Sequence, residues 1–168
     1  PLDDTHRPHQ LHRYRLGEDT AQLVFEEGDG RFFLSCYRAS SERQLVLLLG
    51  SKTTSESWIL DANTPQREFA CLAPREEGHE YYVDHGQLDG AWVWLIRSNQ
   101  SGINFALYCV KDSVTGGQLP TREHWQELIG HDPQRMLEGV SLNAGAFVLS
   151  LREGGLPIIE VHPQGAAP

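Results

Sequence analysis

Leu45-Val46-Leu47-Leu48-Leu49, then the polar loop Ser51-Lys52-Thr53-Thr54-Ser55-Glu56, then Trp58-Ile59-Leu60, is the stretch on which the fold turns. The first run is too short for a helix of ordinary length and has no period-2 alternation. A short, continuously apolar run bounded by turn residues reads as a strand buried on both faces. Upstream, Arg31–Arg38 reads as a preceding strand, joined by the turn Ala39–Arg43. This grammar recurs twice. Glu80–Asp84, the turn Gly86–Gly90, Trp92–Ile96, the loop Ser98–Asn104 and Phe105–Val110 form a second unit. Leu137–Leu142, Asn143–Gly145, Phe147–Leu151, Arg152–Leu156 and Pro157–Val161 form a third. The apolar second strands begin at Leu45, Trp92 and Phe147, 47 and then 55 residues apart. Periods of this size belong to four-stranded propeller blades.

Glu68–Leu72 and Trp125–Ile129 supply the outer strands of the first two units, and Arg13–Leu16 and Gln22–Glu26 the end of an earlier one. Thr121–Gly130, bracketed by Pro120 and Pro133, suits either a short helical turn or an outer strand. The expected fold is all-β: a partial β-propeller of consecutive four-stranded antiparallel blades, two complete and two partial. Its expected parts are a flexible tail (1–11), a blade end (12–27), blades at 31–73 and 79–130, a partial blade (136–162) and a second tail (163–168). Face-to-face packing explains the second strands, since each large side chain buried between blades contributes ~1.5–3 kcal/mol. A β-sandwich is the alternative, but would show no repeat of this kind.

Composition excludes several function classes. The chain has 168 residues, 39% hydrophobic, enough to fill a core, and a net charge of −9. That charge repels nucleic-acid phosphates, so no nucleic-acid partner is expected. No apolar run approaches the ~18 residues that suggest a membrane span, so no membrane partner is expected. Pro1–Gln10 has no apolar h-region, and the three cysteines (Cys36, Cys71, Cys109) are too few and scattered for a disulfide framework. A cytoplasmic location and buried, inert thiols follow as expectations. Pro1 in place of Met suggests an excised piece.

The candidate chemistry is sparse. Ser51, Ser55 and Ser141 stand near glycines but lack a Gly-x-Ser-x-Gly elbow, so no catalytic residue is expected. His6, His9 and His12 are spaced by three, but Pro8 disfavours a helix there. His79 and His85 are expected at opposite ends of a strand, on alternate faces, so no metal site is read. Glu26-Glu27 and Glu76-Glu77 are adjacent pairs in turns, expected to be solvated; adjacent residues on a strand point apart, so neither pair builds a catalytic dyad. Gly116-Gly117 and Gly154-Gly155 read as turn glycines, with no phosphate-loop continuation. No cofactor is expected.

Several segments carry a resemblance to a known family. They are Gly50–Glu56 with Leu60-Asp61-Ala62, Pro74–His85, Asn104–Leu107, His124–Ile129 and Leu137-Glu138-Gly139. Together and in this order they resemble the propeller of the oligopeptidase B family, in the prolyl oligopeptidase superfamily, across roughly Arg13 to Val161. The resemblance implies a propeller capping a separate C-terminal α/β-hydrolase domain that cleaves short peptides after Arg or Lys, with the propeller excluding folded proteins. It implies no catalytic residue here, because the serine elbow and its partners lie elsewhere. Ser150-Leu151-Arg152 departs from the family's Ser-Glu-Arg, and the insert Asp112–Pro120 is longer than usual.

In a propeller the second-to-third strand loops emerge on one rim. The resemblance implies that this rim looks towards the catalytic domain, which makes Lys52, Glu56, Asn99, Asn104, Arg152 and Glu153 candidates for interdomain or substrate-gating contacts, with short basic peptides reaching them through the full enzyme. A stand-alone peptide- or protein-binding module without enzymatic activity is the alternative. Exposed blade edges also predict self-association of the isolated segment.

Overall fold

The computed structural model describes residues 1–143 and 145–165. Its strands are β1 (Gln10–Arg13), β2 (Gln22–Glu26), β3 (Phe33–Arg38), β4 (Gln44–Gly50), β5 (Ser55–Asp61), β6 (Ala70–Ala73), β7 (Tyr81–Leu88), β8 (Ala91–Ser98), β9 (Ala106–Lys111), β10 (Gln126–Ile129), β11 (Arg135–Asn143), β12 (Ala146–Glu153) and β13 (Leu156–Pro163). A short helix, α1 (Asp112–Thr115), follows β9, and a 3-10 turn (Arg122–His124) precedes β10. The strands form four antiparallel sheets: β1-β2, β3-β4-β5-β6, β7-β8-β9-β10 and β11-β12-β13. The protein is a partial β-propeller, with two four-stranded blades between two incomplete ones.

The apolar second strands are the centre of each sheet. Along β8, Val93 and Leu95 face one way and join Leu137, Leu142, Leu149 and Leu151 of the next sheet. Trp94 and Ile96 face the other way and join Ala39, Val46 and Ile59 of the preceding sheet. Alternate residues thus enter different interfaces, and both must be apolar. In β4, Leu47 and Leu49 pack with Phe32 and Leu34, against Leu11 and Phe25 of the first hairpin.

Asp89 (φ 49°) and Gly90 (φ 77°) form a two-residue turn with both residues left-handed. Such a turn matches the twist of the strands it joins. It lets β7 run through Gly86 to Leu88, four residues past the expected end. Thr121–Gly130 contains both alternatives, the 3-10 turn and then strand β10.

Four expectations need correction. The segment 1–11 is not a loose tail: Arg7 is buried and donates to the carbonyls of Glu27 (3.3 Å), Asp29 (3.2 Å) and Phe32 (2.8 Å). Of the expected tail 163–168, Gln164 donates to the carbonyls of Gln87 and Asn143, while 166–168 lie outside the described residues. The cysteines are not uniformly buried: Cys36 is exposed and the other two half-buried. Cys36 lies on the face of β3 that looks toward the first hairpin, but it lines an open pocket there with Leu11, His12, Arg13 and Val24 and so stays exposed. Finally, His79 and His85 do not point to alternate faces, because six is an even separation. His79 stacks on Tyr81, and Tyr81, Val83 and His85 share one buried face of β7.

Candidate functional site

Antiparallel order brings the β4–β5, β8–β9 and β12–β13 loops to one rim, together with the connections between successive blades. Backbone polar groups in these turns need partners, and the loops satisfy one another. Ser55 N donates to the His79 carbonyl at 3.0 Å. Gly78 N donates to Thr54 Oγ1 at 3.0 Å. Asn99 accepts from Glu80 N at 2.9 Å and donates to the Gly78 carbonyl at 3.0 Å. Asn104 donates to the Asp132 carbonyl at 2.8 Å, and its own carbonyl accepts from Leu137 N at 2.9 Å.

A charge cluster joins the first hairpin to the first complete blade. Arg75 Nη2 lies 2.5 Å from Glu27 and 2.8 Å from Glu56, and its guanidinium sits 3.9 Å over the Phe32 ring. Both carboxylates are buried. Burial opposes the charge on Glu56, but hydrogen bonds from Arg75 and the Trp58 indole outweigh it and hold its carboxyl below the usual range. Burial likewise opposes the charge on Arg75, and the two carboxylates outweigh it. Beside them, burial and the Glu56 carboxylate raise the Cys71 thiol to about 11, so it is no nucleophile at neutral pH.

The six candidate rim residues occupy unlike settings. Glu56 lies inside the cluster, and Asn99 and Asn104 tie loops together. Arg152 pairs with Glu138 at 2.6 Å and Glu153 with Arg135 at 3.2 Å, both at the surface. Lys52 is exposed and makes no hydrogen bond among the described residues. No hydrogen bond or ion pair joins two of the six among the described residues. The sequence marks Glu27 only as half of an adjacent pair in a solvated turn and does not mark Arg75 at all, because the partners of Arg75 are 48 and 19 positions away; Glu27 is in fact buried. No local spacing signals that.

Two buried histidines lie near the interface between the complete blades, His79 held within its own blade and His85 reaching across to the other. The His79 ring nitrogens contact Ser98 Oγ at 2.8 Å and Arg122 Nη2 at 2.9 Å. An arginine only donates, so Nδ1 accepts and the ring is neutral. Those of His85 contact Ser41 Oγ at 2.8 Å and Asp112 Oδ2 at 3.2 Å. Burial lowers both pKa values. For His79, Arg122 adds to this and Glu76 opposes it. For His85, Asp112 and Asp84 oppose burial and Arg43 adds to it. The unfolded chain therefore takes up protons near pH 6.5 that the folded chain refuses, and stability falls as pH drops. The urea midpoint should fall between about pH 7.5 and pH 5, before the carboxylates titrate. A flat midpoint across that window would contradict this account.

Among the described residues, no cluster of His, Cys, Asp or Glu is arranged to hold a metal ion, and no helix is long and apolar enough to cross a membrane.

Comparison with known proteins completes the picture. The family described as "Prolyl oligopeptidase, N-terminal beta-propeller domain" matches residues 2–167. Protease 2 of Moraxella lacunata is 35% identical over 166 residues, 98% of this chain and 22% of that protein. Dipeptidyl aminopeptidase BI of Pseudoxanthomonas mexicana is 31% identical over 149 residues, 87% of this chain and 19% of that protein. The chain thus spans about a fifth of the length of these relatives. The closed form of oligopeptidase B from Trypanosoma brucei, with covalently bound antipain, superposes with a TM-score of 0.84 at 25% identity, covering 98% of this chain and 22% of that one. Oligopeptidase B from Leishmania major shares the fold, with a TM-score of 0.79 at 22% identity over 95% of this chain and 22% of that one. With the blade repeat, the stitched rim and a family match running almost end to end, this chain belongs to the prolyl oligopeptidase N-terminal β-propeller domain family.

Proposed function

We propose that this chain is the non-catalytic propeller portion of an oligopeptidase B-like serine endopeptidase of the cytoplasm. It serves as scaffold and size filter for an α/β-hydrolase domain on the same polypeptide, which cleaves short peptides after Arg or Lys. The observation that supports this is the rim itself. Its loops bind one another through Asn99, Asn104, Thr54 and the Glu27–Arg75–Glu56 cluster, giving a stiff edge. Exposed charged residues such as Lys52 and Arg152 stand along the same edge, free to meet a second domain. A rim of this kind holds a partner domain in register without supplying reacting groups.

Lys52→Glu and Arg152→Glu in the full-length peptidase test the reading. Exposed ion pairs are worth about 0.2–1 kcal/mol, so each reversal should change kcat/KM for an Arg-containing peptide by a factor of about 1.4 to 5. Domain closure should shift with it. Unchanged kinetics together with unchanged closure would remove these residues from the interdomain contact. The 168-residue chain alone should leave the same peptide uncut.

A further inference from the structure

The rim opposite the stitched one carries a hydrogen-bonded Ser41–His85–Asp112 relay. Ser41 comes from the β3–β4 loop of one blade, His85 from β7 of the next, and Asp112 from the start of α1. The His85 ring is fully buried, stacked on Trp92 at 5.5 Å and packed beside Trp94 at 4.7 Å, so it cannot rotate freely. An ionised carboxylate only accepts hydrogen bonds. With Asp112 Oδ2 at 3.2 Å, the Nε2 of a neutral His85 carries the proton and donates it. The lone pair of Nδ1, 2.8 Å from Ser41 Oγ, must then accept the Ser41 hydroxyl proton. Arg43 N donates to the same Oγ at 3.1 Å, leaving that oxygen one lone pair for attack. Asp112 Oδ1 is buried and has no partner among the described residues, so the carboxylate keeps capacity to stabilise an imidazolium.

A cavity of about 390 Å³ opens beside Ser41, lined by Gly86, Trp92, Asn143 and Gln164 among others. It offers an aromatic wall and amide groups to a small acyl donor. Ser40 gives both its N–H and its hydroxyl to Asp84, at 2.8 and 2.5 Å, which places a carboxylate close by and disfavours anionic donors.

We propose that Ser41 is a base-activated nucleophile that accepts the acyl group of small, uncharged activated esters. In the step, Ser41 Oγ bonds to the ester carbonyl carbon while its proton passes to His85 Nδ1. The bond from that carbon to the leaving aryl oxygen breaks, and the aryl oxide takes the proton back from His85. The products are O-acyl-Ser41 and a phenol, and His85 ends neutral as it began. Amides are outside its reach. The Ser41 N–H, a natural donor to the developing oxyanion, is committed to the His85 carbonyl at 2.6 Å. A missing oxyanion donor costs about 10²–10³ in rate.

The test uses the 168-residue chain with p-nitrophenyl acetate, which acylates lysines and the N-terminus as well, so the acyl group is located by peptide mapping. The expected result is a nitrophenolate burst of one equivalent with the acetyl group on Ser41. Ser41→Ala should abolish the burst, and Ser51→Ala on the other rim should leave it intact. Asp112→Asn should slow acylation of Ser41 about 100-fold, as loss of an oriented base does, with its urea midpoint confirming a folded chain. The burst should also weaken as pH falls and His85 takes up a proton. Acetyl groups only on amines, or a folded Asp112→Asn chain acylated at the parent rate, would overturn the proposal.

Discussion

Arg75→Ala will destabilise the protein by about 3 kcal/mol, read as a lower urea midpoint at unchanged slope. The substitution leaves Glu27 and Glu56, both buried, without the cation that now sits 2.5 and 2.8 Å from them. Breaking a buried ion pair from one side costs about 3–5 kcal/mol, since the stranded charge keeps its desolvation penalty. The low end applies because the Arg75 side chain is itself 28% exposed and water can enter. Stacking of the guanidinium over Phe32 is lost as well. The deficit should shrink as pH falls through the carboxylate range, because a protonated glutamate needs no cation. Adding Glu56→Gln to Arg75→Ala should recover part of the loss for the same reason. A single variant within about 0.5 kcal/mol of the parent, the range for featureless surface sites, would show that the cluster adds little to the fold.

Trp94→Ala will cost about 3–5 kcal/mol, the range for emptying a large aromatic site in a core. Trp94 is nearly fully buried and lies in the layer between the two complete blades, with Val46 and Ile59 on one side and Val110 on its own. Rigid sheets stand on both sides, so the cavity has little means of collapse. The edge of the His85 ring also loses its neighbour. Against a total stability of about 5–15 kcal/mol, this loss should separate the blades or unfold the chain near room temperature. Urea denaturation followed by near-ultraviolet circular dichroism reads it directly. A cost below about 1 kcal/mol would mean that the interface between blades is not close-packed at Trp94.

Much of this fold was legible before any coordinates. The runs Leu45–Leu49 and Trp92–Ile96 are apolar at every position because successive side chains enter different blade interfaces. A strand's alternation is local, so burial on both faces is written into adjacent residues. The same holds for Asp89-Gly90 and Gly154-Gly155, whose positive φ values suit these residue types. Errors arose where the local signal was neutral. In the sequence Gly86 looks like a turn residue, which places the end of the strand at Asp84. Yet Gly86 is needed within the strand, since an added Cβ there would come within 2.7 Å of Leu142 Cδ1. Apolar neighbours make Cys36 look buried, yet it lines an open pocket between β3 and the first hairpin and stays exposed.

The candidate site was less legible. Glu56 and Lys52 belong to one polar loop in the sequence and look interchangeable as surface charges. Tertiary structure separates them: Glu56 meets Arg75 in a buried cluster, while Lys52 stays in water. Likewise Ser41, His85 and Asp112 stand 44 and 27 positions apart and meet only because blades stack.

By itself the amino-acid sequence determined the strands, their repeat and which of them lie in the core. Those properties follow from neighbouring residues along an extended chain, where hydrophobicity and turn preference act over a few positions. Only the tertiary structure decided which charges pair, which histidines are neutral and which serine faces a base. Such contacts depend on where distant loops come to rest, and an ion pair or a hydrogen bond is made or missed over about an ångström.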